Sequence, residues 1–254
     1  NYAFIFVVGT LTVTQATFSV TADDASRVYG AANPIFTISY SGFANGENNA
    51  VLDTEPTVGT SATVTSDVGN YPITAVGGTD NNYAFSYIDG TLSITKAVLS
   101  VTANNQSKVF GAVNPTLTRS YTGFLNGDLE AGIDTPPAIS TTATQFSDVG
   151  TYPISFSGGL DNNYSFSFNS GTLEITQATA TVTISTLQQN FNGSPRPVTV
   201  TTSPGGLNVD VTYNGSSTVP TAPGTYAVIA SINELNYVGS NSATYELNGT
   251  PTSY

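Results

Sequence analysis

Carboxylates are the side chains in this sequence with the most scope for acid–base or metal chemistry. The chain contains no His and no Cys, so Ser–His and Cys–His nucleophiles and the usual zinc sites cannot be built. Carboxylate pairs of the kind that hydrolyse glycosides remain available in principle. The acidic positions Asp53 and Asp134, and Asp67 and Asp148, lie in turn-like contexts and recur at one fixed offset. An active site is rarely duplicated so faithfully, and turn and capping roles are expected instead. Asp80-Asn81-Asn82 and Asp161-Asn162-Asn163 put several oxygen ligands on a loop, and calcium is the one cofactor such oxygens could hold. Against calcium, no D-x-D-x-D-G spacing occurs, and Asp23-Asp24 becomes Asn104-Asn105 in the next copy. Asx turns explain the same loops. The expectation is a non-enzymatic chain with no catalytic, cofactor-binding or metal residues.

Other chemistries fare no better. Aromatic side chains could form a sugar platform, but they fall on alternating strand positions and there is no Trp, which points to core filling. A Lys–Asn isopeptide common to the copies is excluded, because Lys96 is matched by Gln15 and Gln177, and Lys108 by Arg27. Asn105-Gln106-Ser107 and Asn163-Tyr164-Ser165 match the N-x-S/T pattern, a weak signal.

Composition bounds the partners. The 254 residues carry a net charge of −12 with only five Lys and Arg, a field that repels nucleic acid and anionic membrane surfaces. Charged residues make up 9% of the chain, against roughly 25% in typical soluble domains. The polar surface must come from Thr, Ser, Asn and Gly. With 14 Tyr and 13 Phe the chain can fill several small cores, so it should fold. No apolar run approaches the roughly 20 residues of a spanning helix, and no direct membrane insertion is expected. Without Cys, stability rests on packing alone. A Cys-free, acidic, Thr-rich composition fits a bacterial exterior better than a vertebrate one.

What positions these residues is a repeat. Asn33-Pro34 recurs as Asn114-Pro115, Gly42-Phe43 as Gly123-Phe124, Tyr71-Pro72-Ile73 as Tyr152-Pro153-Ile154, and Asp80-Asn81-Asn82-Tyr83 as Asp161-Asn162-Asn163-Tyr164. Every pair is offset by 81 positions without a gap, and more than half of the aligned positions are identical. The same offset carries Asn1-Tyr2-Ala3-Phe4 onto Asn82-Tyr83-Ala84-Phe85. The expected organisation is therefore 1–16, the C-terminal strand or strands of a preceding repeat; 17–97 and 98–178, complete repeats; 179–247, a divergent shorter repeat; and 248–254, a linker or the start of another module.

Within a copy, Phe18 to Thr21, Phe36 to Tyr40, Tyr83 to Tyr87 and Leu92 to Thr95 alternate apolar and small polar residues with period two. These are half-buried strands separated by turn signals such as Asn45-Gly46 and Asp89-Gly90. The only helical candidates are Glu47 to Leu52 and Asp128 to Ile133. Asp67-Val68-Gly69-Asn70-Tyr71 and Asp148-Val149-Gly150-Thr151-Tyr152 have the spacing of a tyrosine corner, or of a plain tight turn before a buried Tyr. The fold class is all-β, in tandem small domains. The first choice is an Ig-like sandwich; the rival is a β-grasp-like sheet with one short helix. Leu92 to Ala97 runs into Val98 to Thr102, and Leu173 to Ala178 into Thr179 to Ile184, with no linker composition between. Copies joined in this way predict a stiff rod in which each unit touches mainly its neighbours.

The phrases Arg27-Val28-Tyr29-Gly30-Ala31-Ala32-Asn33-Pro34, Gly42-Phe43, Val68 to Ile73 and Gly90 to Ala97 resemble the MBG-type repeats of bacterial surface proteins. The variety is the one marked by Tyr-Gly followed by Asn-Pro; the second copy departs from it with Phe110 in place of the Tyr. The third unit, with Phe191-Asn192-Gly193-Ser194-Pro195-Arg196-Pro197, resembles a sister type. This resemblance implies long, secreted, multi-repeat adhesins of the bacterial cell surface, many from gliding or biofilm-forming Bacteroidota, and it brings no catalytic residues. The function it implies is a stalk or filament segment that spaces and presents distal binding modules. The alternative is a repeat that itself binds glycan or a partner protein. The partners expected are neighbouring repeats of the same chain, and surface glycans or other cell-surface proteins.

Overall fold

The computed structural model describes residues 1–249. The first complete copy forms seven strands: β1 (Ala16–Ala22), β2 (Ala25–Val28), β3 (Ile38–Ser41), β4 (Thr57–Thr60), β5 (Gly69–Val76), β6 (Tyr83–Ile88) and β7 (Gly90–Thr95). They make two sheets, ordered β3-β1-β6 and β2-β7-β5-β4. The opening strand divides at Asp23-Asp24, so that β1 runs parallel to β6 in one sheet and β2 parallel to β7 in the other.

Period-two alternation turns Phe18, Val20 and Ala22 of β1 inward against Ile73 and Ala75 of β5 and Leu92 and Ile94 of β7, in one continuous core. Each such large side chain, fully buried, contributes about 1.5–3 kcal/mol. This is a sandwich, not a grasp: the expected helix over 47–52 is a single 3-10 turn at Asn49–Val51. Its counterpart is a similar turn at Glu130–Gly132.

Gly90 is required by close approach. A Cβ there would collide with the Ala22 backbone carbonyl, and the same collision recurs between Gly171 and Ala103 and between Gly239 and Ala180. In the first two copies this glycine opens the last long strand, and in the divergent unit it stands immediately before it.

The second copy repeats the plan with β8 (Ala97–Ala103), β9 (Gln106–Val109), β10 (Arg119–Thr122), β11 (Ala138–Thr141), β12 (Gly150–Ser157), β13 (Tyr164–Asn169) and β14 (Gly171–Thr176). The pairing orders are β10-β8-β13 and β11-β12-β14-β9. The divergent unit has β15 (Ala178–Thr179), β16 (Thr181–Ser185), β17 (Gln188–Asn190), β18 (Thr199–Ser203), β19 (Val209–Tyr213), β20 (Gly224–Ile232), β21 (Tyr237–Val238) and β22 (Ser240–Asn248). Its core gathers Val182, Val228, Tyr245 and Leu247.

By contact the chain divides into two compact units. One comprises Asn1–Val101, Tyr121–Pro137 and Gly158–Ser167; the other comprises Thr102–Ser120, Ala138–Ser157 and the chain from Phe168 onward. Residues 1–15 correspond to 82–96 by the 81-residue offset but form no strand, and Phe4 and Phe6 are almost fully exposed. The pattern alone does not suffice, because β6 and β7 are held by ladders to β1, β2 and β5. Of the segment expected to link onward, Asn248 ends β22 and residues 250–254 lie outside the described residues.

Candidate functional site

The most elaborated side-chain chemistry lies where one copy meets the next. In the first compact unit only Lys96 separates β7 from β8, and its Nζ donates to the Asp161 carbonyl at 2.6 Å. The Ala97 N–H donates to the Asn163 carbonyl at 3.0 Å. The Asn163 side chain then reads the preceding copy at two points. Its Oδ1 accepts from the Val68 N–H, and its Nδ2 donates to Asp67 Oδ1, both at 2.9 Å. One amide thus matches a donor and an acceptor at once, which no carboxylate or ammonium could do.

Beside this clamp the Tyr29-Gly30 turn of the first copy packs into the second. The Tyr29 hydroxyl donates to Asp128 Oδ2 at 3.0 Å, and the Tyr164 hydroxyl donates to the same oxygen at 2.7 Å. The two rings meet edge to face, 5.6 Å apart. The Tyr164 oxygen also accepts the Leu125 N–H at 2.8 Å. Burial, and then Asp128, push the Tyr164 hydroxyl up to about 12. Gly30 (φ +78°) lies so near Leu125 that an added Cβ would come within 2.7 Å of its Cδ1.

The second compact unit contains the same clamp. The Val149 N–H donates to Asn236 Oδ1 at 2.9 Å, and Asn236 Nδ2 donates to Asp148 Oδ1 at 2.7 Å. Gln177 replaces Lys96, and its Nε2 reaches the carbonyls of Glu234, Leu235 and Tyr237. The tyrosine pair becomes Phe110 against Tyr237, edge to face at 5.4 Å. The hydroxyl of Tyr29 is lost together with the Gly-Phe and Asn-Gly-Asp segment that supplies Asp128, since the divergent unit has no such segment.

The carboxylates singled out in the sequence serve as acceptors in turns and junctions. Asp80 Oδ1 accepts from the N–H groups of Asn82 and Tyr83, and Asp161 Oδ1 from those of Asn163 and Tyr164. Asp134 accepts from the Asn162 N–H, and Asp53 from Asn81 Nδ2. Asp24 and Asn105 each accept one strand N–H, of Thr91 and Thr172, so the Asp-to-Asn change conserves the acceptor. Asp67 and Asp148 have two uses. Beyond the clamp, their carbonyls accept the hydroxyls of Tyr71 and Tyr152, and Ala222 does the same for Tyr226. The tyrosine corner is therefore present in all three units. No group of three His, Cys, Asp or Glu side chains that could hold a metal ion is found among the described residues.

Sequence reasoning set Lys96 and Lys108 aside once an isopeptide was excluded, and it missed Asn163 as an inter-copy residue. The Asn163 signal was present: the divergent unit keeps Asn236-Tyr237 after losing the Asp-Asn-Asn element around it. Arg27 and Lys108, both buried, were also missed. Lys108 Nζ donates to the carbonyls of Ala112, Thr144 and Gln145, tying the Asn-Pro loop to the segment before the tyrosine corner.

Comparison with known proteins finds family matches along the chain. The model of the MBG domain (YGX type) matches residues 18–93 and 99–174, and that of a second MBG domain matches residues 180–250. No curated protein matches. Among solved structures, the N-terminal four Ig domains of Dscam1 isoform 9.44 are 11% identical, with 92% of this chain and 73% of that chain covered, at a TM-score of 0.25. For Sidekick-1 immunoglobulin domains 1–4 the values are 13%, 90%, 74% and 0.27. For Drosophila N-cadherin EC1-3 they are 10%, 72%, 77% and 0.22. At scores this low the likeness carries no weight. The family models matched over these tandem copies make this chain a member of the MBG domain family.

Proposed function

We propose that this chain is a non-enzymatic spacer, a stalk or filament segment of a secreted bacterial surface adhesin that presents distal binding modules. The observation that carries the reading is the junction built twice, with Asn163 on Asp67-Val68 and Asn236 on Asp148-Val149. A catalytic chain has no need to repeat a joint, whereas a spacer depends on holding each copy against the next. Support also comes from the single residue between β7 and β8 and from the family match. The net charge of −12 disfavours nucleic acid as a partner. No helix among the described residues is long and apolar enough to cross a membrane.

Small-angle X-ray scattering tests the reading. A spacer gives an extended, stiff particle whose maximum dimension grows in proportion to the number of copies. A compact particle, or a flexible chain of beads, overturns it.

A further inference from the structure

The first copy carries the receiving half of the junction on an open face. By the 81-residue offset, Asn82, Tyr83, Glu47, Asn45 and Gln15 correspond to Asn163, Tyr164, Asp128, Asn126 and Lys96. These five residues line one concavity of about 360 Å³. It is already built as its counterpart is built. The Ala44 N–H donates to the Tyr83 hydroxyl at 2.9 Å, and that hydroxyl donates to Glu47 Oε2 at 2.6 Å. Gln15 Nε2 reaches the Asp80 carbonyl at 3.0 Å, and the Ala16 N–H reaches the Asn82 carbonyl at 2.9 Å. Asn82 and Glu47 are exposed, whereas Asn163 and Asp128 are partly covered by the first copy.

We propose that this face is a docking socket for the Tyr-Gly and Asp-Val-Gly end of another copy of this same YGX-type repeat. In that pairing Asn82 takes the place of Asn163, binding the Asp carboxylate and the Val N–H, and Glu47 accepts the incoming Tyr hydroxyl beside Tyr83. The socket discriminates by chemistry. The divergent unit has Ala222 in place of the Asp and no Tyr-Gly phrase, so its own far end offers neither the carboxylate nor the hydroxyl. Socket and plug together define a directional rule by which YGX copies follow one another. The rule rests on reading the junctions as the functional joints of a spacer.

The test compares this chain with one lengthened by a copy of residues 17–81 placed ahead of Asn1, so that residues 1–16 complete an 81-residue repeat. In the unlengthened chain, Asn163→Ala is expected to raise the unfolding equilibrium constant about tenfold, the worth of one or two hydrogen bonds, and Asn82→Ala less than about twofold. In the lengthened chain Asn82→Ala should also cost about tenfold. That loss should disappear when the added copy's counterpart of Asp67 is already Ala, as a double-mutant cycle reads it. The Asn82 side-chain amide resonances should shift on lengthening. Equal costs for the two Asn variants in the unlengthened chain overturn the proposal without any need for the added copy to fold. So does a folded added copy with no coupling and unmoved Asn82 resonances. Coupling together with a compact scattering particle would keep the socket and sink the spacer; an extended particle without coupling would do the reverse.

Discussion

Arg27 donates its Nε–H to Asn33 Oδ1 at 2.7 Å, and the Asn33 amide in turn donates to the Ala62 carbonyl at 2.7 Å. This pair explains the spacing from Arg to the Asn of Asn-Pro. A buried guanidinium has enough N–H groups to hold the Asn oxygen and still reach the Thr63 carbonyl. In the second copy Lys108 spends its ammonium on three carbonyls, Asn114 Nδ2 keeps its bond to Ala143, and the buried Asn114 Oδ1 has no hydrogen-bond partner.

Lys108→Arg should therefore stabilise the protein, by about 1 kcal/mol, because it supplies a donor to a buried orphan acceptor. Arg27→Lys should cost a similar amount. Urea unfolding of both variants checks this, and a destabilised Lys108→Arg would show that the second copy has repacked around its ammonium.

Asn163 is irreplaceable by its near-isostere. Asn163→Ala should cost about 1–2 kcal/mol for two junction hydrogen bonds. Asn163→Asp should cost more at neutral pH, because it sets a carboxylate against Asp67 and loses the donor. Part of that excess should return as the pH falls through the carboxylate range near 4. Denaturant midpoints for the three proteins at pH 7 and pH 4 decide it.

Alkaline stability should follow Tyr164. Its hydroxyl titrates higher in the folded protein, at about 12, than in the unfolded chain, near 10. The folded state thus holds the proton where the unfolded state has lost it. The resulting stabilisation is fully present below pH 10 and is lost as the pH rises from 10 towards 12. A denaturation series from pH 9 to 12 should show this fall in the parent and a shallower one in Tyr164→Phe.

Gly30 and Gly111 separate backbone strain from contact. Both hold left-handed φ, +78° and +83°, so Ala at either position meets the same conformational cost of about 1 kcal/mol. Only at Gly30 does the added methyl also strike Leu125, while Gly111 has nothing within 4 Å. Gly30→Ala should be the more damaging by about 1 kcal/mol or more, as thermal unfolding would register.

Much of this was legible in the residues. Period-two alternation in Phe18-Ser19-Val20 fixes which side chains face the core, because strand geometry sends successive residues to opposite faces. The 81-residue repeat fixes that the two complete copies share one strand plan, and Asp-x-Gly-x-Tyr carries a tyrosine corner within five residues because both ends of its hydrogen bond lie in that span. All these are local or self-referential signals. What the sequence could not reveal depends on groups brought together from far apart along the chain. Tyr29 meets Asp128 across 99 positions, and Asn163 meets Asp67 across 96. An Asp in a loop reads the same whether it caps its own turn or receives a side chain from the next copy. That choice was made by tertiary structure, which put the Asp67-Val68 corner opposite the Asn163 amide and allowed one side chain to satisfy both its groups.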